Sequence, residues 1–217
     1  MKINVDDLTI TRCKPERDSK PHHKACIASK ESLGDFLGWG MVAPKWSFQK
    51  HAKFLAWNAN QSSPFNTFVA YYGNKFVGLF SLSSGSDNFG AQLCYWVGNE
   101  FSRNGVATEV TKLILDKAFT LDNLFYVQLH IDKANTASNR VAEKAGFHVM
   151  EEYSCTPQGS KGTGDMYLWI KYHPKVQEIA NDDSFEASFD GNVTSAWCTD
   201  TSLSIAQDIF RSSKHCG

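Results

Sequence analysis

The stretch FSRNGVATEV, residues 101–110, sets Arg103, Asn104 and Gly105 directly before residues that form helix. A helix mouth leaves about four backbone N–H groups without partners and carries the positive end of the macrodipole. Together these suit an anion of phosphate size. Gly105 lets the chain turn and lets a ligand come close to the main chain. Arg103 adds a cation, Ala107 keeps the mouth small and Thr108 offers a hydroxyl. The candidate anion site is therefore Arg103, Asn104, Gly105, Val106, Ala107 and Thr108. A routine strand-to-helix turn uses glycine too, and a short glycine motif alone leaves both readings open.

These residues need elements to hold them. LTITRC, 8–13, alternates and is rich in β-formers, which predicts a first strand. Residues 21–37 read as helix in two short pieces, and GWGMVAPKW as a loop. Ser47 caps a predicted helix, SFQKHAKFLAWNAN, with Phe48, Phe54, Leu55 and Trp57 as its apolar members. FNTFVAYYGNKFVGLFSLSS reads as a hairpin turning at Gly73-Asn74, followed by a strand at 91–98. A helix near 106–121 shows Val110, Leu113, Ile114, Lys117 and Ala118 as its face. A buried strand at 125–132, a helix at 135–147 ending on Gly146, and strands at 147–155 and 165–172 complete the pattern. The order predicts an α+β or mixed α/β fold around one central sheet.

The tail differs. Residues 176–195 are acidic and small and read as a linker, and 202–213 as a short helix with Leu203, Ala206, Ile209 and Phe210 on one face. A packing appendage and a dimer or partner contact are both open for that helix. The expected division is a domain over 1–175 and a C-terminal extension over 176–217.

The 22 basic and 23 acidic side chains of this 217-residue chain leave a net charge of −1, which argues against a broad nucleic-acid-binding surface. No run approaches the roughly 20 apolar residues of a membrane span, and the start has no signal-peptide core, so a cytoplasmic protein is expected. Six scattered cysteines without a CxxC read as free thiols, with no metal site expected.

YWVGNEFSRNGVATEVTKLILDKAF followed by VQLHIDKANTASNRVAEKAGF resembles the GNAT N-acetyltransferases, and among them the Rim-type ribosomal-protein N-terminal acetyltransferases. The resemblance covers roughly residues 8–172 and is strongest from Cys94 to Phe147. It implies a GNAT fold: a central, mostly antiparallel, twisted sheet splayed between its fourth and fifth strands and flanked by helices. It implies acetyl-CoA as cosubstrate, its pantetheine arm lying in the splay against the backbone of Trp96, Val97 and Gly98. The family's phosphate loop, Q/R-x-x-G-x-G/A, matches at Gly105 and Ala107; its first position falls on Ser102, with Arg103 one residue late. The second motif, N-x-x-S before a helix ending K-x-G-F, matches at Asn135, Ser138, Lys144, Gly146 and Phe147. The resemblance assigns Asn135 to the pantetheine amide and Ser138 to the sulfur; as plain sequence, either residue is also an ordinary helix-start residue.

The implied reaction is attack of an amine on the thioester. The resemblance gives the Val97 N–H to the developing oxyanion and Ser138 to the leaving thiolate. The tyrosine acid found in many relatives is Ala142 here, and their strand glutamate is Gln92, so the base is left among Glu100, His130, Glu151 and Glu152. Trp39, Met41, Trp46 and Phe48 read as groove lining or as core, with the acceptor expected between the N-terminal helices and the 156–164 loop. The favoured acceptor is a protein or peptide N-terminus. A small amine such as an antibiotic or amino sugar, a non-catalytic acyl-CoA-binding regulator, and acetylation of aminoacyl-tRNA are the other readings.

Overall fold

The computed structural model describes residues 4–59, 66–85, 89–121 and 124–181. Seven strands form one sheet: β1 (Leu8–Arg12), β2 (Asn66–Tyr72), β3 (Lys75–Ser84), β4 (Gly90–Val97), β5 (Tyr126–Asp132), β6 (His148–Ser154) and β7 (Asp165–Tyr172). Their order across the sheet is β1-β2-β3-β4-β5-β7-β6. Every neighbouring pair is antiparallel except β4 and β5, which run parallel. That pair holds only three residue rows, from Gly90–Tyr126 to Gln92–Gln128, although β4 runs on to Val97 and β5 to Asp132. The two strands part beyond Gln92, so the splay expected between the fourth and fifth strands is present.

The helices are α1 (Pro15–Ala28), α2 (Phe48–Ala59), α3 (Val106–Ala118), α4 (Thr136–Lys144) and α5 (Pro174–Asn181). They cover both faces of the sheet. One core lies under α3 and α4, where Val106, Val110, Ile114 and Ala142 meet Phe80, Leu93, Val127 and Leu129. The other lies under α1 and α2, where Cys26 and Leu55 meet Val69, Phe76 and Trp96. Burying such large side chains contributes about 1.5–3 kcal/mol each. No helix among the described residues is long and apolar enough to cross a membrane.

Three local expectations change. The first helix starts at Pro15 and runs unbroken to Ala28, past Pro21, instead of forming two pieces within 21–37. Pro15 supplies the preset φ that suits a first helical turn, and buried Asp18 anchors that turn by accepting from the Lys14 N–H (2.7 Å), the Arg17 guanidinium (2.5 Å) and the Tyr71 hydroxyl (2.8 Å). On α3, Leu113 is exposed, while Thr111 and Leu115 are buried with Val110 and Ile114. The boundary drawn between 175 and 176 falls inside α5, whose Val176 is buried against Tyr126, Ile170 and Tyr172. The helix expected at 202–213 lies outside the described residues.

Candidate active site

The parted strands expose main-chain groups that a paired sheet would consume. Gly98 donates its N–H to Val77 on the β3 side (2.8 Å). Alternation along the strand then points the N–H and C=O of Leu93, Tyr95 and Val97 into the gap. On β5, the bond from His173 N–H to Phe125 C=O (2.8 Å) fixes the same alternation and turns the main chain of His130 toward the gap, whereas the Asp132 C=O accepts from the Asn135 N–H (2.9 Å) at the start of α4. This corrects the sequence reading in part. Val97 faces the gap as expected, but the Gly98 N–H is spent on β3 and the Trp96 main chain points there too. Leu93 and Tyr95 take their places.

Beyond Val97 the chain makes one short turn, Asn99–Phe101, and reaches the mouth of α3. Gly105 is its N-cap at φ 79°, with no side-chain cap and open space where a Cβ would stand. Arg103 also takes a left-handed φ of 61°, which costs a non-glycine residue about 1–2 kcal/mol. The Asn104 side chain braces the loop by donating to Ser102 C=O (2.9 Å). Among the described residues no group accepts from the N–H of Gly105, Val106, Ala107 or Thr108; the first helical bond runs from Glu109 back to Gly105. Four such donors thus stand at one helix mouth that follows the end of β4, with Gly105 and Arg103 exposed there.

Across the gap, Asn135 caps α4 by accepting from the Ser138 N–H (3.2 Å), which is the ordinary role left open for it. Half-buried Ser138 stands in that first turn. Beside it is a residue the sequence reading missed. Tyr95 packs on Phe80, and its buried hydroxyl has no hydrogen-bond partner at bonding geometry. Burial pushes that phenol up to about 12, while the Ser138 hydroxyl nearby pulls the other way. An orphaned buried hydroxyl costs about 1–3 kcal/mol. The available signal was a polar tip on the apolar face of a strand. Lys144 is not brought to this group: it is exposed in the last turn of α4, six residues from Ser138 and so about 9 Å along the axis.

The other face of the gap is framed by a chain of contacts. At the end of β4, the Asn99 N–H donates to the Ser29 hydroxyl (3.1 Å) and Ser32 bonds the Asn99 side chain. Next along the chain, Gly34 and Asp35 accept from the N–H groups of Ser160 and Lys161, both at 2.8 Å, and Lys161 pairs with the Asp35 carboxylate (2.9 Å). The Asp132 carboxylate at the end of β5 takes the N–H groups of Thr163 (2.7 Å) and Gly164 (3.0 Å). The two parted strand ends are therefore joined through residues 29–35 and 160–164. Burial pushes the Asp132 carboxyl up, but its four donors together hold it below the usual carboxylate range.

Of the four titratable candidates, Glu100 pairs with Lys75, and Glu152 pairs with Lys133 (2.5 Å), whose ammonium lies over the Tyr167 ring. Glu151 and His130 share a row with Leu168, on the face away from α3 and α4. Trp39 and Trp46 join the core under α1 and α2, whereas Met41 and Phe48 are exposed.

One group among the described residues brings three metal-ligating atoms within 4.8 Å: His22, Cys26 and His51, all fully buried. It closes as a neutral hydrogen-bond chain. His51 Nε2 donates to Ala43 C=O (3.1 Å), so its Nδ1 accepts from His22 Nδ1 (3.0 Å). His22 Nε2 is left facing the Cys26 thiol (3.7 Å). A metal would have to displace two protons that already have partners.

Comparison with known proteins places this geometry. The model of the acetyltransferase (GNAT) domain matches residues 7–148. No curated protein matches. Among solved structures, the ribosomal L7/L12 α-N-protein acetyltransferase RimL in complex with coenzyme A is 16% identical, with a TM-score of 0.69 over 76% of this chain and 93% of that one. The spermidine N-acetyltransferase of Vibrio cholerae in complex with CoA and spermine is 18% identical, with a TM-score of 0.62 over 77% and 96%. The microcin C7 self-immunity acetyltransferase MccE in complex with acetyl-CoA and AMP is 18% identical, with a TM-score of 0.67 over 78% and 95%. These likenesses establish a shared fold, and the domain match over most of the described sheet establishes more: the chain belongs to the GNAT acetyltransferases, and the enzyme is an acyltransferase.

Proposed function

We propose that the enzyme transfers the acetyl group of acetyl-CoA to the free N-terminus of a peptide or protein. The diphosphate sits on the N–H groups of Gly105, Val106, Ala107 and Thr108, with Arg103 adding charge. The thioester arm runs down the gap as a partial strand against Val97, Tyr95 and Leu93. A main-chain N–H of that set, Val97 in the family's pattern, receives the oxyanion. Ser138 serves the departing thiolate, with the Tyr95 hydroxyl behind it.

The observation that carries the choice of acceptor is the joined frame on the far face of the gap. Residues 29–35 and 160–164 bridge the strand ends, so an amine enters beneath a strap and not over an open edge. A chain end fits such an entry, and an amine midway along a long side-chain surface does not. The experiment is acetyl-CoA thiol release against peptides with free N-termini, the same peptides N-formylated, spermidine and an amino sugar. Release with free N-termini alone supports the reading. Release confined to small amines overturns the acceptor, and CoA binding without amine-dependent release overturns the transfer itself.

A further inference from the structure

We propose that His130 is the catalytic base, with Tyr153 as its positioning residue. The proposal rests on the acetyl-transfer reading and adds the group that receives the amine's proton.

Three observations meet at this residue. First is its level in the gap. The parallel register that pairs Gln92 with Gln128 puts His130 opposite Cys94, two residues into the parted region. Phosphates held at the mouth of α3 leave the arm running back along β4 toward that level. Second is its face. Leu93 and Tyr95 pack toward α3 and α4, and Trp96 packs toward α1 and α2. By strand alternation Cys94 and His130 project to the α1 and α2 side, where the strap admits the acceptor. Third is its partner. His130 Nδ1 lies 2.6 Å from the Tyr153 hydroxyl, the two rings meeting edge to face.

That contact sorts the two ring nitrogens. With the Nδ1 proton donated to the Tyr153 oxygen, the lone pair of Nε2 is free. The ammonium then gives one proton to Nε2 and becomes an amine. The nitrogen lone pair forms the new C–N bond, the C–S bond breaks with its electrons on sulfur, and the thiolate takes the Ser138 hydroxyl proton while the second proton of the attacking nitrogen restores the serine hydroxyl; the proton on His130 then passes to solvent. The imidazolium keeps its Nδ1–H bond to Tyr153, so no donor is stranded. The groups around His130 are Glu151 and Tyr153 from β6, Cys94 across the gap on β4, and uncharged Leu168 on β7. Partial burial holds the imidazole below the usual histidine range against the opposing pull of Glu151, which keeps it unprotonated at neutral pH.

The test is the pH profile of kcat/KM for a free-N-terminus peptide in wild type, His130→Gln, His130→Ala and Tyr153→Phe, with CoA affinity measured in each. The expected loss in either His130 variant is about 10²–10⁴-fold at pH 7. It shrinks above pH about 8, where an α-amine is already deprotonated. Tyr153→Phe displaces the acid limb and lowers kcat with KM unchanged. CoA affinity stays at the wild-type value, which also reports that the variants fold. A His130→Gln enzyme with wild-type kcat/KM, or with a defect of equal size at every pH, overturns the base. Turnover of small amines only overturns the peptide acceptor, and the same profile measured on that amine still decides His130. An absence of thiol release with every amine overturns both.

Discussion

Cys94 and His130 stand level on facing strands, two residues past the last paired row, with their side chains on one face of the sheet. Below them, at Gln92 and Gln128, the sheet is closed; above them it is open. The proposed chemistry thus lies at the foot of a wedge, with the candidate anion site at its wide end. Its walls are main chain on both sides, so their spacing is fixed by the sheet and not by side-chain rotamers.

The mouth of α3 can be tested with Gly105→Asp. A left-handed aspartate costs roughly 1–2 kcal/mol, and open space surrounds the new Cβ, so the fold survives with a small fall in Tm. The carboxylate faces the diphosphate path. CoA affinity falls more than tenfold by calorimetry; unchanged affinity would remove the phosphates from this loop.

Ser138 and Tyr95 form the second pair to probe. Ser138→Ala and Tyr95→Phe each lower kcat, with CoA binding close to wild type. If the two hydroxyls act on one leaving sulfur, as proposed, the double variant loses little beyond the larger single effect. Fully multiplying losses in stopped-flow turnover would show that they act separately.

The strap makes a prediction about the acceptor alone. Gly159 has φ 77°, and a Cβ there would stand 2.5 Å from the carbonyl oxygens of Gly34 and Asp35. Gly159→Val therefore lifts the 160–164 segment off the 34–35 backbone. The peptide KM rises several-fold while the acetyl-CoA KM holds. Equal changes in both constants would detach the strap from acceptor binding.

Stability should fall in mild acid because of His22 and His51. Burial is the main cause that lowers both imidazoles, His22 to about 3 against an ordinary value of 6.5. A histidine depressed in the folded state contributes its full stability above the unfolded pKa and loses it as the pH falls toward the folded one. For His22 the loss between pH 7.5 and 5.5 is about 1.4 kcal/mol, and His51 adds to it in the same direction. Calorimetry should show Tm dropping by several degrees over that interval. His22→Leu flattens the slope; an unchanged slope would assign the acid sensitivity elsewhere.

Much of this was legible in the chain itself. Period-two alternation located β2 to β5 within a residue or two, and Gly105 marked the helix mouth, because both signals are local. What escaped depends on contacts distant in sequence. Asn99 meets Ser29, and Lys161 meets Asp35, 126 residues away, and no periodicity announces such pairs. Tyr95 read as one more strand aromatic because its missing partner is visible only in three dimensions. The sequence does not say which face His130 takes; the strand register does. The first helix is expected only from residue 21 and in fact begins at Pro15, because the Asp18 anchor to Tyr71 and the packing of α1 on α2, which outweigh the backbone bond lost at Pro21, are contacts distant in sequence.

The bridge between the strand ends has a mechanical meaning. It ties β4 to β5 through two unrelated segments, so the aperture above Cys94 behaves like a jaw whose hinge is the Gln92–Gln128 row and whose opening angle is clamped at the tips. Loosening any one tether, even the exposed Lys161–Asp35 pair, changes reach at the fulcrum without touching a reacting atom. With a peptide acceptor as proposed, tolerance for bulk at its first residue is set from that rim.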